Sequence, residues 1–165
     1  MLKEISFGAT PVKADYCLSK AGIGYFEKQV LNASKPESFN TLSSKISAML
    51  SAKPVSGYER NGSLSNVLWF DTAHTARSLN STGERILKEA GFDTKYIKDL
   101  PRDSVRFHMF SLRGIKPAER FDELEKLVKA YSPSVVVVDC ENSISNEELR
   151  YIATRYDCHV TKITN

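Results

Sequence analysis

Val-Val-Val-Val-Asp at residues 135–139 is the strongest indication of the fold class in this sequence. A short, continuous apolar run is typical of a strand that is covered on both faces, as the strands of parallel sheets are. Val-Leu-Trp-Phe at residues 67–70 has the same character. The strands that contain these two runs are predicted at about 134–139 and 66–71. Three further strands are predicted at 29–33, 105–111 and 159–164.

Helical patterns alternate with these strands. Apolar residues recur at helical spacing in four segments, at 38–52, 76–90, 117–130 and 145–156. Pro117 suits the first turn of the third helix, and Gly91 suits the end of the second. Ser145 and Glu148 have the spacing of a capping box at the start of the fourth. The alternation predicts an α/β fold, with a five-stranded, mainly parallel sheet flanked by helices.

Length and composition exclude several classes of protein. The 165 residues fit one domain, 1–165, in which residues 1–28 form an edge or capping segment. The net charge of +3 is too small to indicate an obligate nucleic-acid binder. No run approaches the roughly 18 apolar residues of a membrane span. Cys17, Cys140 and Cys158 are odd in number and far apart, with no C-x-x-C pair, which argues against a disulfide framework and against a zinc site. We therefore expect a cytoplasmic protein with reduced thiols.

The turn after the first strand departs from a phosphate-binding loop. Such a loop reads G-x-x-x-x-G-K-[ST], because glycines let backbone N–H groups close around phosphate and the lysine supplies charge. Here the turn from Asn32 to Ser38 is one residue shorter and has no glycine. Pro36 and Glu37 stand where glycine and lysine belong. Lys35 and Ser38 remain as candidates for contact with a phosphate.

The order of motifs resembles the RecA-like ATPases, in particular the RepA-like replicative helicases and mobilisation ATPases of plasmids and mobile elements. The resemblance runs from about Asp15 to Asn165. Its most specific part is Val67-Leu-Trp-Phe-Asp-Thr-Ala-His-Thr, which is similar to the family's second strand followed by Asp-Thr-Glu-Gln-Ser. Phe107-His-Met-Phe-Ser-Leu-Arg-Gly and then Val135-Val-Val-Val-Asp follow in family order. The resemblance implies a P-loop NTPase fold with the strand order 5-1-4-3-2.

Against that family pattern, the departures fall on the residues of the chemistry. Asp139 matches the magnesium-linked acid, and Ser38 matches the magnesium-binding hydroxyl. Ala73 stands where a glutamate orients the attacking water, and Thr164 stands in the place of the sensor residue. Charge-assisted hydrogen bonds to phosphate contribute about 1.5–3 kcal/mol each. Losing the lysine and the loop contacts removes roughly 5 kcal/mol from the roughly 8 kcal/mol of a micromolar site.

These losses predict a pseudo-ATPase that uses neither ATP nor magnesium as a cofactor and has no catalytic residue. It would act as an interaction or regulatory module, in DNA replication or mobilisation. The resemblance implies further copies of the chain or a related ATPase as partners, and DNA as another. Arg113 is the candidate for contact with DNA or a partner. A basic patch could include Lys95, Lys98, Arg102, Arg106 and Arg113.

Three alternatives remain open. An altered loop could still bind nucleotide and magnesium through Ser38 and Asp139, which would make the chain an ATPase. Asp71, Asp139 and Glu141 follow strands, and such a group of carboxylates could serve a metal-dependent phosphoesterase.

Cysteine and histidine chemistry gives the third alternative. Cys140 could be a nucleophile if His74 or His108 lay within reach, although an inert buried thiol is the simpler interpretation. His159 is predicted to serve packing or to lie on the surface, and Trp69 is predicted to belong to the core.

Overall fold

The computed structural model describes residues 30–34, 37–58, 66–95, 105–140 and 142–164. Its strands are β1 (Val30–Ser34), β2 (Val67–Asp71), β3 (Phe107–Ser111), β4 (Val135–Asp139) and β5 (His159–Thr164). Its α-helices are α1 (Glu37–Leu50), α2 (Ala76–Glu89), α3 (Arg120–Tyr131) and α4 (Asn146–Arg155). A 3-10 turn, Pro117–Glu119, leads into α3. The predicted segment 1–28 lies outside the described residues.

The strands form one sheet in which every pairing is parallel. Across the sheet the order is β1-β5-β4-β2-β3. The predicted α/β class with a parallel sheet is therefore confirmed. Strands β2 to β5 form its main body, and β1 pairs with the outer side of β5.

The predicted strand order 5-1-4-3-2 is wrong. It places β1 between β5 and β4, and β3 between β4 and β2. In the structure β5 pairs directly with β4, and β4 pairs directly with β2.

Burial gives the physical reason for this difference. All five residues of β2 and of β4 are buried, whereas β3 is buried only at its first residue and becomes exposed at its last. The most apolar strands take the centre, where both faces are covered, and β3 therefore lies at the edge.

Helices cover both faces of the sheet and create two apolar cores. On one face, α1 and α2 pack on alternate residues of the strands, including Trp69 and Val137. On the other face, α3 and α4 pack on the intervening residues, including Phe70 and Val138. The alternation follows from the two-residue period of a strand, and it confirms that Trp69 belongs to the core.

The helix ends follow the predicted signals. Ser145 and Glu148 make both hydrogen bonds of the capping box that precedes α4. After α2, Gly91 has a φ of +96°, a conformation that favours glycine. Pro117 opens the 3-10 turn rather than the α-helix itself, which begins three residues later. Among the described residues, no helix is both long and apolar enough to cross a membrane.

Candidate functional site

Two buried aspartates meet at the carboxyl edge of the sheet. Asp71 ends β2 and Asp139 ends β4, and these residues are directly paired in the register of the two strands. Adjacent strands lie about 4.8 Å apart, so the two carboxylates are neighbours. Their side chains are 0% and 3% exposed. The chain therefore holds two acidic groups side by side in a site from which water is largely excluded.

His74 joins this pair from the turn between β2 and α2. Its backbone N–H donates to Asp71 Oδ1 at 2.7 Å, which folds the turn back over the end of the strand. Its imidazole Nδ1 lies 2.7 Å from Asp71 Oδ2 and 3.6 Å from Asp139 Oδ2. The side chain of His74 is 33% exposed. The imidazole thus lies between the carboxylates and also reaches the solvent.

Backbone hydrogen bonds hold the edge of the sheet rigid around this cluster. Thr72 N–H donates to the carbonyl of Asp139 at 2.9 Å, and Leu112 N–H donates to the carbonyl of Asp71 at 2.8 Å. These bonds continue the parallel ladder one residue beyond the strands. Thr75 then caps α2, because its hydroxyl oxygen accepts from Ser78 N–H at 3.3 Å. The turn that carries His74 is fixed at both of its ends.

The Asp71–His74–Asp139 cluster has the composition of a metal site. One ligand atom from each residue can be chosen so that all three lie within 4.8 Å of one another. Carboxylate oxygen and imidazole nitrogen are both common ligands of divalent metal ions. Two adjacent carboxylates in a low-dielectric site repel each other, so a cation between them is favourable. Protonated imidazole or a metal ion can supply that charge.

Of the two residues predicted to contact a phosphate, the structure describes only Ser38. Lys35 lies outside the described residues, and Ser38 is the second residue of α1. β5 separates β1 from β4, so the turn before Ser38 leaves a strand about 10 Å from the strand of Asp139. Ala73, at the position of the family glutamate, is exposed in the turn between Asp71 and His74. Thr164 ends β5, where its backbone is paired with Ser34.

The structure contradicts a nucleophilic role for Cys140. The thiol is fully buried in the α3/α4 core. Burial, together with the negative charge of Asp71, raises the pKa of Cys140 from 9.0 to about 12. His108 pairs with Leu68, three residues before the end of β2, and its ring lies 4.6 Å from that of Tyr131. A low-pKa thiolate with a histidine base is therefore not what this site provides.

We expect Cys140 to resist alkylation in the folded protein. Relative to a thiol of pKa 9.0, a pKa of about 12 lowers the thiolate fraction near neutral pH about 1,000-fold. Iodoacetamide labelling of a Cys17→Ser variant, read by peptide mass spectrometry with and without urea, measures this protection. Cys158, which is also buried, serves as the internal control. Labelling of native Cys140 at the rate of the unfolded chain would contradict the expectation.

His159, Arg106 and Arg113 are further residues that the sequence singled out and that the structure describes. His159 is buried, with its Nε2 3.0 Å from Thr161 Oγ1, which confirms the packing interpretation. Glu141 lies outside the described residues. Arg113 is exposed two residues after β3, and Arg106 precedes the same strand. Seven residues of largely extended chain span roughly 20 Å, so these two arginines lie at opposite ends of the sheet and do not form one patch.

Two residues of interest were missed by the sequence interpretation. His74 was considered only as a base for Cys140, although Asp-x-x-His after a predicted strand was the available signal. Lys162 is buried in β5, where its Nζ donates to the carbonyl of Ile144 at 3.2 Å and lies 3.4 Å from Asn146 Oδ1. A lysine between Thr161 and Ile163, inside a predicted strand, was its signal. The contacts of Lys162 join the start of α4 to β5.

Comparison with known proteins identifies no relative of this chain. No protein-family model matches it, and no curated protein matches it at a significant level. The fold and the site define an α/β protein with a parallel sheet and an Asp–His–Asp cluster at its carboxyl edge.

Proposed function

We propose that this chain is a pseudo-ATPase, a non-catalytic relative of the RecA-like mobile-element helicases and mobilisation ATPases. It acts as an interaction or regulatory module. One observation carries the proposal: Asp139, the acid that would serve magnesium, is buried next to Asp71 and faces the imidazole of His74 at 3.6 Å. The imidazole of His74 thus faces the carboxylate of Asp139. Ala73 stands at the position where a glutamate would orient the attacking water. Partners of this module are copies of the chain, a related ATPase or DNA.

Charge and sequence around the first helix support the same proposal. The turn before α1 contains no glycine and places Glu37 at the start of the helix, where the family has lysine. A carboxylate there repels a polyphosphate, whereas a lysine attracts it. General-base catalysis is typically worth a factor of about 100 or more, and Ala73 cannot supply it. Glu37 therefore weakens nucleotide binding, and Ala73 separately weakens hydrolysis.

We expect no saturable binding of nucleotide. Titration of the purified protein with a fluorescent ATP analogue and Mg²⁺ should give no saturating signal up to millimolar concentrations. Thermal unfolding with ATP or ADP provides a second readout, because ligand at 100 times its Kd would add about 2.7 kcal/mol of stability.

The control variants for this titration are Asp139→Ala and Asp122→Ala, since Asp122 is an exposed carboxylate in α3. Micromolar binding that Asp139→Ala abolishes and Asp122→Ala preserves would contradict the proposal. It would favour the alternative in which an altered loop still binds nucleotide and magnesium through Ser38 and Asp139.

A second candidate function, metal-dependent phosphoester hydrolysis, is favoured by the cluster of Asp71, His74 and Asp139. A metal ion there could activate water at an edge of the sheet where open α/β folds hold their ligands. Hydrolysis of bis(p-nitrophenyl) phosphate, measured with Mg²⁺, Mn²⁺ and Zn²⁺, tests it. Activity that Asp139→Ala leaves unchanged, or no activity with any of these ions, would exclude it.

DNA binding by the exposed Arg113 is a separate part of the proposal. Contacts with phosphates make binding weaken as salt increases, in proportion to the number of phosphates neutralised. A labelled oligonucleotide should bind more tightly at low than at physiological salt, and Arg113→Ala should weaken it. Retention that is independent of salt would count against the DNA contact.

A further inference from the structure

We propose that Asp71, His74 and Asp139 form a binding site for one divalent transition-metal ion of the Zn²⁺ type. This inference does not rest on the proposed function, because the site requires no nucleotide. The three residues come from the ends of two adjacent strands and from the turn that follows the first of them. Their side chains are brought together by the fold rather than by flexible surface segments.

The distances are close to those of a three-ligand site. Zn²⁺ bonds of about 2.0–2.2 Å at tetrahedral angles place neighbouring ligand atoms about 3.4 Å apart. Nδ1 of His74 lies 3.6 Å from Asp139 Oδ2 and 2.7 Å from Asp71 Oδ2. With one ligand atom taken from each of the three residues, no two of these atoms lie more than 4.8 Å apart. Shifts of about 1 Å or less in the side chains would complete the geometry.

The ligand types select among metal ions. Mg²⁺ requires near-octahedral oxygen coordination and is reluctant to exchange its water. Imidazole nitrogen instead favours the later transition metals, whose affinities generally increase along the series from Mn²⁺ to Cu²⁺, with Zn²⁺ below Cu²⁺. Because His74 supplies such a nitrogen, the site discriminates against Mg²⁺.

The two aspartate ligands are buried and the histidine ligand is partly exposed, and this arrangement suits metal binding. Asp71 and Asp139 are buried and held by the sheet, so their two carboxyl groups are already positioned side by side before a cation arrives. His74 is partly exposed, which provides a route for the ion from solvent. Three protein ligands leave a fourth tetrahedral position for water, as in zinc sites that are not purely structural.

The test is a calorimetric titration of the full chain, freed of any affinity tag and treated with a chelator, in which Zn²⁺ and Mg²⁺ are added in separate experiments. We expect one Zn²⁺ per chain and much weaker or undetectable Mg²⁺ binding. Changes to outer-shell partners lower metal affinity about 10–100-fold, so His74→Ala, which removes a ligand, should lower it by about 100-fold or more. Asp139→Asn should also weaken binding.

Matched controls separate this site from other ligands in the chain. His108→Gln removes a histidine that lies against Tyr131, and Asp122→Asn removes an exposed carboxylate; both should bind Zn²⁺ like the wild type. Circular dichroism establishes that each variant is folded, and Asp139→Asn replaces His74→Ala if the latter is not. No Zn²⁺ binding to the wild-type chain, or equal binding by wild type and the folded site variant, would overturn the proposal. Because no nucleotide is added, either result is independent of the ATP titration.

Discussion

Replacing Phe70 with alanine is expected to lower the free energy of unfolding by about 3–5 kcal/mol, the range typical of a buried Phe→Ala change. Phe70 is fully buried in the central strand β2 and packs in the α3/α4 core. Its ring stacks on Phe110 with a centroid distance of 5.5 Å, and Phe110 in turn meets Tyr131 edge-on at 5.8 Å. The substitution removes both the apolar area and this aromatic contact.

Urea unfolding followed by the fluorescence of Trp69, the sole tryptophan of the chain, measures the change. Phe70→Leu is the matched control, since it keeps most of the apolar volume and should cost less. A double-mutant cycle with Phe110→Ala should give a coupling of about 0.5–1.5 kcal/mol for the stacked pair. A loss below about 1 kcal/mol in Phe70→Ala would contradict the central position of β2.

Replacing Ile86 with alanine is expected to lower the free energy of unfolding by about 2–5 kcal/mol. Ile86 is fully buried on α2 and belongs to the core on the opposite face of the sheet. The backbone carbonyl of the same residue accepts a hydrogen bond from Ser47 Oγ of α1 at 3.0 Å, so this position also joins the two helices. A cavity here weakens the packing of the helix that follows His74.

Two controls make this second prediction specific. Ile86→Val removes one methylene and should cost only about 0.5–1.5 kcal/mol. Lys88→Ala changes an exposed residue of the same helix and should cost within about 0.5 kcal/mol. If Ile86→Ala were no more destabilising than Lys88→Ala in urea unfolding, α2 would not pack on the sheet as described.

The positions of the secondary-structure elements were predicted well from the sequence. β2 and β4 are continuous apolar runs bounded by aspartate, and each was predicted within one residue of its observed ends. Helix α4 begins at the capping box of Ser145 and Glu148. These signals are local, because a strand run or a helix cap depends on residues a few positions apart.

The order of the strands could not be predicted in the same way. Val67–Asp71 and Val135–Asp139 are both apolar on both faces, so either could pair with any other buried strand. The side chains of such strands carry little information about which strand becomes their neighbour. The order 5-1-4-3-2 that the resemblance implied was wrong. Only the packing of helices against both faces selects one order among those that the crossovers permit.

The candidate site depends on this order of the strands. With β3 between β2 and β4, as predicted, Asp71 and Asp139 would lie two strand spacings apart, or about 10 Å. With β2 beside β4, the two carboxylates are direct neighbours, and the turn to α2 brings His74 between them. The elements and the acidic residues at their ends follow from the sequence, since both are local properties. Which of these acids meet depends on the folded sheet, because strand pairing joins residues 68 positions apart that no local pattern connects.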